Sequence, residues 1–152
     1  MILLILIHLC AYRFGLAMGL QSYFKGLVGM LHKFRETDFL CDTVLVTHDL
    51  RELKAHSVVL AAASSVFQSA FKEAADRGPG PLQVNLREYS GDIIEIALQF
   101  MYTGEFSMLP SSFADKGEWT RLVGVLERLG LDSKLISECR PTFCKYEVIV
   151  FF

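Results

Sequence analysis

Asp42, His56 and Ser57 are the side-chain types from which a carboxylate–imidazole–hydroxyl relay is built. Their arrangement argues against one. His56 and Ser57 are chain neighbours at a strand-to-helix corner, where adjacent side chains point apart, whereas a nucleophile and its base must meet within hydrogen-bond reach. No oxyanion loop or glycine-rich phosphate cradle accompanies them. His56 is therefore expected to satisfy backbone groups where strand meets helix, and no enzymatic activity is expected.

Metal chemistry fares no better. The four cysteines are Cys10, Cys41, Cys139 and Cys144, with no C-x-x-C among them. All four histidines (His8, His32, His48, His56) precede Cys139, so a zinc site of Cys-Cys-His-His type cannot be written from this order. Cys41 and Cys139 read as buried free thiols of a reducing compartment, since free cysteine behaves as a small hydrophobe. No metal and no cofactor is expected. The formal charge is −2 with no run of Lys or Arg, so the electrostatic footprint of a nucleic-acid binder is missing. At 52% hydrophobic and 21% charged, the chain is apolar for a soluble monomer. Either a partner covers part of its surface, or its ends are not folded sequence.

The elements that must position these residues follow from hydrophobic period. Residues 43–47 are β-branched and apolar, as a buried strand is. Residues 48–51 are a polar turn, and 52–56 alternate with Leu53 and Ala55 on one face, giving a hairpin. The period then becomes helical. Val59, Leu60 and Ala63 form one stripe, and Val66, Phe67, Ala70 and Phe71 the next. Ser65 with Gln68 fits a capping box between them. Residues 82–86 alternate as a third strand. Ser90 can cap a helix with Ile93, Ile96, Ala97, Phe100 and Met101 inward, ended by Gly104. Phe106 opens a short further strand. Residues 118–129 form a helix with Trp119, Leu122, Val123, Leu126 and Leu129 inward, and 132–140 a last one carrying Leu135, Ile136 and Cys139. Upstream, Phe24, Leu27, Val28, Leu31 and Phe34 lie at helical spacing behind Ser22 as N-cap. Val44, Val46, Leu60, Phe67, Phe71 and Phe100 are expected to share one core.

Both ends are unusual. Residues 2–12 are apolar but too short to span a bilayer, which takes about 20 residues. No positive charge precedes them, as a signal peptide requires. Residues 1–20 are thus read as an extension outside the domain, and 143–152 as an apolar tail, non-native or unpaired, that would aggregate if exposed.

Three strings carry a resemblance: Asp38-Phe39-Leu40-Cys41-Asp42, then Leu53-Lys54-Ala55-His56 with Val59-Leu60-Ala61-Ala62, Ser64 and Phe67, then Phe100-Met101-Tyr102-Thr103-Gly104. They resemble the BTB/POZ domain, over residues 21–142. The resemblance implies an α+β fold: a small three-stranded sheet, made of a β-hairpin plus a third strand, with clustered short helices. It implies a protein-interaction module that homodimerises, or pairs with another BTB protein, through the helix before Cys41-Asp42. Phe24, Leu27, Val28, Leu31 and Phe34 would then be the interface. The spacing is most like the zinc-finger-linked members, nuclear transcription regulators whose fingers lie outside this chain. The alternative is a kelch-like substrate adaptor of a cullin-based ubiquitin ligase in the cytoplasm; a remote one is a small secreted protein. In zinc-finger-linked members the residue matching Asp42 pairs with a basic residue just after the histidine, in a pocket tied to co-repressor binding. Here that residue is Ser57. The pocket becomes Asp42, Lys54, His56 and Ser57, with Asp42 mostly buried and satisfied by Lys54 or Arg51, or by the hydroxyl and backbone amides.

Overall fold

The computed structural model describes residues 2–78, 82–106 and 116–139, with side chains from residue 19. The tail, the turn around Pro79, the short strand expected after Phe106, and Cys144 lie outside the described residues. Helix α1 (Ile2–Glu36) is one continuous helix of 35 residues. Ser22 lies inside it and caps nothing, because the Leu-, Met- and Ala-rich segment before it is itself a strong helix former without proline. Past Glu36 the chain turns sharply. Thr37 Oγ1 donates to the carbonyls of Lys33 and Phe34, and Asp38 and Leu40 both take the left-handed conformation, at φ +56° and +57°.

Strands β1 (Thr43–Thr47) and β2 (Glu52–Ala55) form the expected antiparallel hairpin, with Thr43 opposite Ala55 and Val46 opposite Glu52. Strand β3 (Leu82–Leu86) pairs with β1 in parallel, giving the order β2-β1-β3. The central strand is covered on both faces. Thr43, Leu45, Val46 and Thr47 are buried, and Val44 is only half-buried, so Leu45 takes the core place expected of Val44. Helices α2 (Ser57–Ala63) and α3 (Ser65–Ala75) follow. Ser64, not Ser65, caps α3. Its hydroxyl accepts from Phe67 N and donates to the carbonyl of Leu129, so one side chain both caps α3 and ties it to a distant segment.

Helix α4 (Gly91–Thr103) starts at Ser90, but its capping acceptor comes from the hairpin turn: the Asp49 carboxylate takes the Gly91 N–H at 2.9 Å. Arg51 bridges Asp49 and Asp92 across the same junction. Gly104, at φ +70°, closes the helix. Because α4 packs on both α1 and α2, its buried set exceeds one stripe: Ile94, Leu98 and Tyr102 are buried, while Ile93 and Met101 are half-buried. Helix α5 (Lys116–Arg128) buries Trp119, Leu122, Val125 and Leu126, with Val123 half-buried. Gly130 (φ +78°) ends this segment where any Cβ would lie 2.8 Å from Val66, so glycine is needed there twice over. In α6 (Ser133–Glu138) Ile136 faces the core, and Leu135 is exposed.

Leu60, Phe67 and Phe100 join one core cluster, with Phe71 packed partly buried against it. Phe67 is 2% exposed and stacks on Phe71. Phe67→Ala should lower stability by about 3–5 kcal/mol. Chemical denaturation measures it, and a change near zero would contradict the inward placement of α3.

Candidate functional site

Where β2 ends and α2 begins, His56 is buried and fully used. Its Nε2 lies 2.9 Å from the carbonyl of Phe39, which can only accept, so that nitrogen carries the proton. Nδ1 then accepts from the Tyr102 hydroxyl at 2.5 Å, and the same hydroxyl accepts the His56 backbone N–H at 2.9 Å. Both ring nitrogens are thus engaged away from Ser57, and the relay considered from sequence is not assembled. Cys41 Sγ lies 3.8 Å from Nε2, but burial, then the Asp38 charge, pushes its thiol pKa up. Burial likewise raises the Tyr102 hydroxyl.

Asp42 is exposed, contrary to the expectation that it would be mostly buried; it sits just outside the first residue of the sheet. Ser57 satisfies it twice, through its backbone N–H at 2.6 Å and its hydroxyl at 2.5 Å, and Thr43 adds a longer bond. Desolvation pushes the carboxyl up, but the Ser57 bonds together outweigh it and hold the pKa below the ordinary value. Lys54 turns instead to Asp38, and Arg51 to Asp49 and Asp92. Of the partners open to Asp42, the hydroxyl and amide are the ones used. The four pocket residues therefore divide: Asp42 and Ser57 pair at the surface, His56 sits behind them, and Lys54 is engaged elsewhere.

The upstream helix divides too. Arg35 meets Glu95 at 2.6 Å and lies over the Tyr102 ring, and His32 packs against the same ring. These contacts turn Leu31, partly buried, against the core of its own domain. Val28 and Phe34 are half-buried, Phe34 meeting Phe39 edge-on. Phe24 and Leu27 are exposed, and so are Leu20, Tyr23 and Met30, which share their face. The sequence stripe was thus rotated by the contact with α4. Phe39, Leu40 and Val58 are also exposed, at 52%, 71% and 70%. Exposed apolar residues thus gather on α1 and the turn after it, the kind of surface that interaction sites use. Among them no group of three or more metal-ligating side chains converges.

A family model for the BTB/POZ domain matches residues 31–133. The chain is 33% identical over 96 residues to the zinc finger and BTB domain-containing protein 1 of Mus musculus, covering 63% of this chain and 13% of that protein. It is 35% identical over 83 residues to Kelch-like protein 7 of Homo sapiens, covering 55% and 14%. The chain therefore spans only 13% and 14% of the length of these relatives. The solved BTB domain of zebrafish PATZ1 matches with a TM-score of 0.61 at 21% identity, over 78% of this chain and 89% of that one, and shows the same fold.

Two substitutions probe the junction. Ser57→Ala should raise the Asp42 carboxyl toward its ordinary value of about 3.9. A depressed carboxyl contributes stability above the unfolded pKa and loses it as pH falls through the folded one. The variant should therefore be less stable than the parent at neutral pH, and the gap should close below about pH 4. Carboxyl NMR titration and melts across pH check this; an unmoved Asp42 contradicts it. Tyr102→Phe leaves the His56 N–H and Nδ1 without their partner and should cost about 1–3 kcal/mol by denaturant titration.

Proposed function

Because the chain belongs to the BTB/POZ domain family of protein-interaction modules, we propose that it pairs with a second copy of itself through the outward face of α1, in the service of a nuclear transcription regulator of the zinc-finger-linked kind. The observation that carries this reading is the exposed row of Phe24, Leu27 and Met30, at 52%, 47% and 47%, on a helix whose last two turns are held to its own domain by His32 and Arg35. A two-fold axis lets each copy bury the same patch against its mate. Gly26 and Gly29 lie on this stretch with nothing within 4 Å of where a Cβ would be, which leaves room for a helix to approach closely. Phe39, Leu40 and Val58 are further exposed apolar residues, Phe39 lying against Phe34 of the same helix. DNA binding would belong to fingers in a longer parent. A co-repressor contact at Asp42 is less well supported, since Ser57 already uses that carboxylate.

The match to a kelch-like protein favours a second reading, a substrate adaptor of a cullin-based ubiquitin ligase acting in the cytoplasm. Titration with a cullin N-terminal domain separates the two: tight binding selects the adaptor, and none selects the regulator.

The pairing itself is tested by sedimentation. An obligate interface of this kind buries roughly 2,000 Å² or more in total. The chain should sediment as a dimer at micromolar concentration. Leu27→Asp with Met30→Asp should give a folded monomer, because both side chains are exposed and neither belongs to the core cluster. A stable monomer from the unmodified chain would contradict the proposal.

A further inference from the structure

The two edges of the sheet differ. With the order β2-β1-β3, each outer strand has one side without a neighbouring strand among the described residues. Strand β2 is blunted by charge, since Glu52 and Lys54 are both exposed on it. Strand β3 has the sequence Leu-Gln-Val-Asn-Leu, with no charge and no proline. Its register with β1 runs from Thr43 opposite Leu82 to Thr47 opposite Leu86 without a bulge. Beyond that ladder, the backbone bond made by β3 among the described residues is the one from the Tyr89 N–H to the carbonyl of Leu86. The stretch from Gln83 to Asn85 thus keeps outward amides and carbonyls unpaired, with none of the devices that normally protect an edge.

The same strand borders a groove. Helix α3 lines its other side, and the space between them is about 470 Å³, within the range of binding clefts. Phe71 and Val84 line it while packing partly buried against the core, so its floor is apolar and fixed. Ala70 and Ala74 line it too, and their small side chains leave the room that a larger residue would fill. Glu73 and Arg77 stand at the rim, exposed and 3.9 Å apart, so the groove carries no net charge of its own.

We propose that this edge takes an extended, uncharged peptide of a partner protein as an added strand. Unpaired backbone groups in a row are matched by another stretch of backbone, which makes the occupant a polypeptide. Its side chains alternate in direction. One row falls beside the half-buried Leu82 and Val84 and enters the groove against Phe71, Ala70 and Ala74, which calls for apolar, β-branched residues. The other row falls beside the exposed Gln83 and Asn85, which calls for hydroxyls or amides. A second copy of β3 fits less well, because a strand already in a sheet brings its own α3 with it. The groove lies apart from Leu27 and Met30, so the inference does not depend on pairing through α1.

The test is an NMR titration of the full labelled chain with a capped peptide of alternating valine and threonine, long enough to cover β3. Saturable shifts should appear in the amides of Gln83, Val84 and Asn85 and in those from Phe71 to Gly78, and the β3 amides should exchange more slowly with solvent. The same peptide with its backbone amides methylated should not bind, because it cannot donate to the edge. Ala74→Trp fills the groove from a half-buried position and should weaken binding about tenfold or more at an unchanged melting temperature. Any of four results overturns the proposal: no saturable binding, equal binding by the methylated peptide, undiminished binding by the variant, or shifts confined to α1. Slow exchange of the β3 amides in the chain alone, with no response to peptide, would also overturn it and give the edge to this chain or a second copy of it.

Discussion

The hydroxyl of Tyr102 is the point on which the site depends. It comes from the last turn of α4, is 1% exposed, and satisfies both the backbone and the ring of His56. Through the other ring nitrogen that histidine holds the carbonyl of Phe39, so the loop after α1, the end of β2, the start of α2 and the end of α4 meet at one imidazole. The Tyr102 ring also receives His32 and Arg35 from α1. A buried polar group without a partner is costly, and the Tyr102 hydroxyl and the His56 backbone and ring nitrogens each have one, whereas His32 Nδ1 and Arg35 Nε beside them are buried without a hydrogen bond.

That constraint explains why apolar side chains are left outside. With Arg35 and His32 fixed against Tyr102, α1 cannot roll, and Leu31 faces inward while Leu27 and Met30 face out. The turn that follows spends conformational energy to the same end. Leu40 is held in the left-handed region, unfavourable for a side chain with a Cβ, and yet is 71% exposed.

The hairpin, the helix pair after it and the closing glycines were legible because they rest on local signals: alternation, helical stripes and left-handed caps. What depended on distant contacts was not. The stripe of α4 was read too narrowly, since nothing near Ile94, Leu98 or Tyr102 tells that α1 and α2 both cover it. Ser64 and Ser65 are equivalent by type, and only the Leu129 carbonyl selects the first. Asp42 was placed by its apolar neighbours, but the chain surfaces just before β1, so the carboxylate is exposed although its partner, Ser57, was among those foreseen. The union of His56 with Tyr102 spans 46 residues of sequence. Its one available signal was a tyrosine among the apolar residues of α4, whose hydroxyl needed an acceptor or donor somewhere.

The account stands on the claim that the outward face of α1 is covered by a second copy of the chain. The most direct measurement is an isotope-filtered NOE experiment on a mixture of labelled and unlabelled chains. The account predicts intermolecular contacts from the Leu27 and Met30 methyl groups to aromatic protons of the other copy. Methyl groups that show only intramolecular contacts, and that broaden with a soluble paramagnetic probe as free surface does, would contradict it.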